Sequence, residues 1–201
     1  IYSDIYGPYP YQDMRVAPAP ISFHGMEYPQ VNLLGIELYG RFRDRLELIA
    51  AHEVAHQWWY QLIHNDPVNS PWLDEAIAEY SMEYFVETLD GEYDADLFEY
   101  NRWWRPLEHL IERDKNAPVD QPVDSFIDGA QYEAIVYGKG ALFFDALREE
   151  LGDRAFRAFL RDYLDENRYG IVDQEEWETA LESLGNPIVM DLYEQWITGE
   201  E

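Results

Sequence analysis

From Asp44 onward, Leu46, Ile49, Ala50, Val54, Trp58 and Leu62 recur at helical spacing, and the same stretch carries His52-Glu53-Val54-Ala55-His56. Asp44 followed three residues later by Glu47 reads as a capping-box start, and the pattern predicts a helix to about His64. Residues four apart lie about 40° apart around a helix axis, so both imidazoles face one side and can meet one ion. Glu53 borders that face, where a general base must stand to reach a water on the ion. The pattern is short, however, and two polar histidines on a solvated helix face account for it equally well.

The chain has no Cys, so thiolate ligands and disulfides are excluded and any metal rests on His and carboxylates. The polar turn Asn65-Asp66-Pro67-Val68-Asn69 ends the first helix. Ser70-Pro71 then supplies an N-cap and a first-turn proline for a second helix, predicted over residues 71–89. Eighteen residues, 57–74, separate His56 from Glu75, which falls about one turn into that second helix. A helix, a short turn and a returning helix bring this carboxylate back towards the imidazoles. Two His and one Glu leave a fourth tetrahedral position open, as a hydrolytic zinc site requires. The alternative is a charged face, with Glu75, Glu79 and Glu83 at i, i+4 and i+8, where like charges are mildly destabilising without a nearby cation. Zinc would remove that penalty for Glu75.

Around these helices the chain divides by composition. Five prolines in the first forty residues (Pro8, Pro10, Pro18, Pro20, Pro29) oppose a long helix and predict extended structure, with strands at 14–16, 21–23 and 31–36. A third helical pattern covers about 95–114, kinked or divided by Pro106, and further helices are predicted at 138–151, 153–166, 174–184 and 188–197. The expected architecture is α+β, a small sheet lobe followed by a mainly helical lobe. Residues 1–40 are mainly extended, 41–116 hold the metal-binding helices and 117–201 form the helical lobe. The opening Ile1 and the run Tyr6-Gly7-Pro8-Tyr9-Pro10-Tyr11 read as the middle of a longer chain, and residues 1–10 look like neither a signal peptide nor an anchor.

Taken together, His52-Glu53-Val54-Ala55-His56 and Trp72-Leu73-Asp74-Glu75-Ala76 resemble the aminopeptidase N family of zinc metallopeptidases, gluzincins with a thermolysin-like zincin catalytic domain. Gly25-Met26-Glu27 is similar to the family's G-x-M-E-N segment, with Tyr28 in place of Asn, and Tyr137-Gly138-Lys139-Gly140 to its Y-E-K-G segment, with Gly138 in place of Glu. Asp74 also stands where Asn is common. The resemblance covers roughly residues 6–198 and implies a single catalytic domain over 1–201. It implies Zn²⁺ on His52, His56 and Glu75, Glu53 as the base, and Tyr137 as the oxyanion donor. Gly25, Met26 and Glu27 would form an edge strand for the substrate, with Glu27 taking the free α-amine. The implied function is a zinc metalloprotease, a peptide hydrolase that removes N-terminal residues. An endopeptidase of the same fold and a non-catalytic interaction domain are the competing readings. Relatives reading G-M-E-Y-P resemble exported or membrane-associated bacterial proteins, which is the expectation for compartment.

Other candidates have plainer readings. Glu79 is either a carboxylate that orients a ligand histidine or an exposed helix residue, and Tyr132 either lines the cleft or packs. His24 stands beside the substrate segment, whereas His64 and His109 read as surface positions. Trp58, Trp59, Trp103, Trp104, Trp177 and Trp196 read as core.

Asp and Glu total 41 against 14 Lys and Arg, a net charge of −27 that argues against nucleic acid and anionic membranes as partners and suits peptide cations. No apolar run of about 18 residues is available to insert into a bilayer. Only Lys115 and Lys139 are lysines, a balance similar to that of salt-adapted proteins. A chain so charged repels itself, and salt screens that repulsion. The melting temperature is therefore expected to rise with NaCl from low to moderate ionic strength; a flat or falling trend in calorimetry would reject the idea.

Overall fold

Strands β1 (Arg15–Ala19), β2 (Gly25–Tyr28) and β3 (Val31–Gly35) form one sheet in the order β1-β3-β2 in the computed structural model, which describes residues 1–199. β1 runs parallel to β3, from Arg15 opposite Val31 to Ala19 opposite Gly35. β2 runs antiparallel to it, from Gly25 opposite Leu34 to Tyr28 opposite Val31. Both β1 and β2 are edges, which is how β1 tolerates Pro18. A two-residue loop, Pro29-Gln30, joins β2 to β3, with Gln30 at φ 63°.

The strand predicted at 21–23 is a bend instead. The Ile21 N–H closes on Ala19 O at 2.9 Å, turning the chain so that pairing begins only at Gly25. The first residues also depart from expectation: before Pro8, α1 (Tyr2–Tyr6) forms one helical turn and buries Tyr2, Ile5 and Tyr6. Its hydroxyls fix it to the body, Tyr2 donating to Ser81 O at 2.8 Å and Tyr6 meeting Ser81 Oγ at 2.6 Å.

The metal-motif helix is shorter than its periodicity suggests. α2 covers Leu46–Ala55, preceded by a 3-10 turn at Arg43–Arg45, and no side chain caps it, so Asp44 and Glu47 form no capping box. Beyond Ala55 the apolar spacing continues through turns rather than helix, and Tyr60 adopts φ 98°. Tertiary hydrogen bonds account for this. Buried Gln57 donates to Asn32 Oδ1 at 2.8 Å and to Tyr28 O at 3.1 Å, and Gln61 donates to Glu27 O. Asn32 in turn donates to Glu53 O at 2.8 Å. This network ties the sheet to the C-terminal end of α2 at the cost of the helical ladder.

α3 (Trp72–Asp90) is the spine, with thirteen of its nineteen residues buried. Pro71, not Ser70, occupies its N-cap. α4 (Glu92–Glu99) passes into a π-helical turn at Tyr100–Trp104 and then α5 (Arg105–Ile111), so Pro106 lies in the first turn of a new helix. α6 (Gly129–Tyr132) continues through a second π-helical turn, Glu133–Lys139, into α7 (Gly140–Leu151). α8 (Asp153–Glu166), α9 (Gln174–Ser183) and α10 (Pro187–Tyr193) follow at the expected places, and a third π-helical turn covers Glu194–Thr198. Among the described residues no helix is long and apolar enough to cross a membrane.

Trp72, Tyr80, Trp103, Phe143, Phe144, Phe156 and Trp177 fill the core around α3, joined by Trp58 and Trp59, whose rings meet Tyr6 of α1. Trp104 and Trp196 pack against its margin. Where α7 crosses α3, a Cβ added at Gly140 would stand 2.6 Å from Ala76 Cβ. Gly140→Ala is therefore expected to overpack the crossing and cost about 1–3 kcal/mol in urea unfolding.

Candidate metal centre

The end of α2 and the first turn of α3 set three ligating atoms against one another. His52 Nε2 lies 3.1 Å from Glu75 Oε2, His56 Nε2 lies 3.2 Å from His52 Nε2, and His56 Nε2 lies 3.4 Å from Glu75 Oε2. Ligands about 2.0–2.2 Å from a tetrahedral ion stand about 3.3–3.6 Å apart, and the triangle lies within about 0.2 Å of that range, close to what one zinc-sized ion needs. Both outer imidazole nitrogens face acceptors: His56 Nδ1 is 3.0 Å from Trp59 O, and His52 Nδ1 is 3.5 Å from Glu79 Oε2. Protons placed there leave the two Nε2 lone pairs directed at the centre.

The electrostatics favour positive charge at that centre. Burial opposes protonation of the imidazoles, yet Glu75 overrides it and pushes His56 up to about 9 and His52 well above its ordinary value. Burial likewise raises Glu75, but the two imidazoles hold its carboxyl well below the usual range. A dication placed there satisfies the same demand.

Glu79, one turn beyond Glu75, is 1% exposed and so is not the exposed helix residue of the plainer reading. Arg102 Nε donates to its Oε1 at 2.6 Å and Trp103 Nε1 at 3.0 Å. Burial alone would raise Glu79; Arg102 and His52 hold it at about 2. Arg102 arrives from the π-helical turn at Tyr100–Trp104, and no local spacing in the sequence pairs it with Glu79. Asp74, buried beside His56 at 3.8 Å, accepts from Asn65 Nδ2 at 2.8 Å.

Glu53 is enclosed, and its Oε2 has no hydrogen-bond partner. Burial pushes its carboxyl up to about 7, against the pull of His52 and His56. It packs on β2 so tightly that a Cβ at Gly25 would stand 1.9 Å from Glu53 Oε1. Tyr137, inside the second π-helical turn rather than just ahead of a helix, lays its ring over His52 with centroids 5.8 Å apart. Burial and then Glu75 raise its hydroxyl well above the ordinary value, so it remains a donor.

One cleft of about 600 Å³ is lined by all of the sequence-predicted residues: Gly25, Met26 and Glu27 on β2, His52, Glu53 and His56, Glu75, and Tyr137. Tyr132 lines it too and meets Tyr137 edge-on at 5.7 Å, while His24 lies at its rim. His64 and His109 are exposed and outside it. Buried lone pairs converging on an open position, a carboxylate able to take a proton near neutrality and a phenolic donor are the parts of a hydrolytic site.

Comparison with known proteins agrees with this geometry. The chain is similar to leucine aminopeptidase 2 of Yarrowia lipolytica, 28% identical over 86% of this chain and 29% of that protein. It is similar to aminopeptidase N of Lactococcus lactis subsp. lactis, 29% identical over 73% of this chain and 18% of that protein. Among solved structures, the M1 zinc metallopeptidase from Deinococcus radiodurans matches with a TM-score of 0.79 at 25% identity, covering 97% of this chain and 41% of that one. The chain thus spans less than a third of these curated relatives. The peptidase family M1 domain matches residues 8–196, nearly the whole length, and the chain belongs to that family.

Proposed function

We propose that the chain is the catalytic part of a zinc aminopeptidase. In this reading His52, His56 and Glu75 hold zinc, Glu53 is the general base, Tyr137 is the oxyanion donor, and Gly25, Met26 and Glu27 receive the peptide. The observation that carries the reading is the 3.1–3.4 Å triangle of ligating atoms in the same cleft as Glu53, Tyr137 and the edge strand. Zinc, when bound, supplies Lewis-acid polarisation of the scissile carbonyl and acidifies water at its open position.

The chain's own residues do the rest. Glu53 accepts a proton from the attacking water and delivers it to the departing amine nitrogen as the C–N bond breaks, which restores the carboxylate. Tyr137 donates its O–H to the carbonyl oxygen as negative charge gathers there. The free edge of β2 offers backbone groups to an extended peptide, and Glu27 pairs with the terminal ammonium, so that cleavage is counted from the amine. Glu79, held by Arg102 and Trp103, keeps the His52 ring in place.

Four comparisons test these roles. Glu75→Ala is expected to lose most of its zinc by elemental analysis, whereas Glu53→Gln keeps the metal and loses hydrolysis. Tyr137→Phe keeps the metal and lowers kcat by about 10²-fold. Comparing a free dipeptide with its N-acetyl form checks the exopeptidase assignment: cleavage should require the free amine, and equal rates would make the protein an endopeptidase.

The close fit of Gly25 against Glu53 generates a separate expectation. Gly25→Ala has no room for its methyl group and must displace the Glu53 carboxylate. Turnover should fall by about 10²-fold at unchanged zinc content, since misplacing a reacting group by about 1 Å costs that much.

A further inference from the structure

The face of α3 that carries Glu75 and Glu79 continues to Glu83, and this third carboxylate has no ion-pair partner among the described residues. Glu75 faces two imidazoles and Glu79 faces Arg102. Glu83 is 7% exposed, and its Oε2 is enclosed and accepts no hydrogen bond. Its neighbours are two more acids, Glu99 at the end of α4 and Asp145 on α7, both half-buried, and one oxygen from each of the three lies within 4.8 Å of the others. The charge of Arg148 is felt at Glu83 and Asp145, but its hydrogen bonds go elsewhere. Arg148 is bound to Glu87 at 2.8 and 3.2 Å and to Asp153 at 2.6 Å. Among the described residues Glu99 accepts from a neutral donor, the Trp104 indole N–H at 2.6 Å.

We propose that Glu83, Glu99 and Asp145 form a second cation site, for a hard divalent ion of the Ca²⁺ class, which clamps α4 and α7 to α3. All the protein donors are carboxylate oxygens, with neither imidazole nor thiolate, which selects against zinc and for a hard ion. Oxygens about 2.3–2.6 Å from Ca²⁺ stand up to about 5 Å apart, which spans the observed spacing, and half-exposed Glu99 and Asp145 leave room for water to complete the shell. Mg²⁺ is the poorer fit, because it is commonly held by one or two carboxylates with most of its waters retained.

Without a cation the same group is electrostatically costly. Burial, then the charges of Asp145 and Glu99, raise Glu83 to about 9, with Arg148 opposing and Glu87 adding to the rise. Burial, Glu99 and Glu149 raise Asp145 to about 7, with Arg148 again opposing and Asp96 adding. Glu83 is thereby driven to hold a proton at neutral pH, Asp145 titrates close to it, and burial raises Glu99 as well; a dication between them would take the place of such protons.

The test uses the zinc-loaded full chain, first with Ca²⁺ and matched NaCl controls in thermal unfolding. The wild type is expected to gain stability saturably with Ca²⁺ beyond the NaCl effect. Glu83→Gln and Asp145→Asn should each raise the half-saturating Ca²⁺ by about tenfold or more, with zinc content unchanged. In calcium-free buffer Glu83→Gln should be at least as stable as the wild type, since it removes an uncompensated buried acid. A merely structural carboxylate gives the opposite order there and equal Ca²⁺ responses in all three proteins, which would overturn the proposal. Tb³⁺ gives a local readout, because Trp104 touches Glu99 and can sensitise an ion bound beside it. Saturable emission displaced by Ca²⁺ and lost in Asp145→Asn supports the site. Emission that persists in Asp145→Asn and Glu83→Gln would mark diffuse binding to an acidic surface and overturn it. Asp145, being half-exposed, keeps the test open if Glu83→Gln does not fold.

Discussion

Burying a carboxylate leaves a charge that must be met by a cation, a proton or a set of donors, and α3 buries acids at successive turns of one face. Much of the molecule can be read as the set of solutions to that demand. α2 ends so that two imidazole nitrogens meet Glu75, and the segment before α5 brings Arg102 and Trp103 to Glu79. The proposed zinc centre and the Glu79 cluster are then consecutive turns of one electrostatic column. His52 touches both, with one nitrogen facing Glu75 and the other facing Glu79. The orientation of a ligand and the compensation of a buried charge are here one arrangement.

The geometry that delivers these partners is local over-winding and under-winding of helices. An α-helix that admits an i→i+5 bond shifts the facing of everything after it, so a π-helical turn can re-aim side chains without ending the helix. One such turn presents Arg102 and Trp103 to Glu79, and another carries Tyr137 to His52. The two turns meet at Gly138, where a Cβ would stand 3.5 Å from the Trp103 backbone. That spacing is ordinary contact, so Gly138 is not forced by sterics. Gly140, two residues on, is: its contact with Ala76 sets how closely α7 approaches the helix that holds Glu75.

Legibility in the sequence follows the range of the interaction. His52 and His56 are legible because helical geometry over five residues puts them on one face with Glu53 at its border, and Glu75 because Ser70-Pro71 signals a helix start just before it, although Pro71 rather than Ser70 takes the N-cap. The later helices were readable because Gly152 and Gly185 interrupt strongly periodic stretches. The end of α2 was not, because the apolar spacing of Val54, Trp58 and Leu62 persists while Gln57 and Gln61 turn their amides to the sheet. Periodicity records burial and is blind to which hydrogen bonds the backbone makes. Arg102 and the π-helical turns were equally invisible, since their partners lie more than twenty residues away in the chain. The edge strand proposed to take substrate is legible in Gly25-Met26-Glu27 only by resemblance, while propensity alone puts a strand at 21–23, where the chain bends.

A chain with 41 acids and 14 lysines and arginines cannot pair each buried carboxylate with a cation, and its indoles show what stands in. Trp72 donates to Asp120 at 2.9 Å, Trp103 to Glu79 at 3.0 Å and Trp104 to Glu99 at 2.6 Å. A neutral N–H satisfies a lone pair but leaves the charge in place. The consequences differ by partner. Glu79, which has Arg102 as well, is held low, whereas burial still raises Asp120 and Glu99 despite their indoles. Hydrogen bonding by tryptophan therefore permits acids to be buried in this fold without neutralising them. The remaining charge has to be met by protons or by ions from solution, and this is why both proposed metal sites draw on the same face of α3 that packs the helices together.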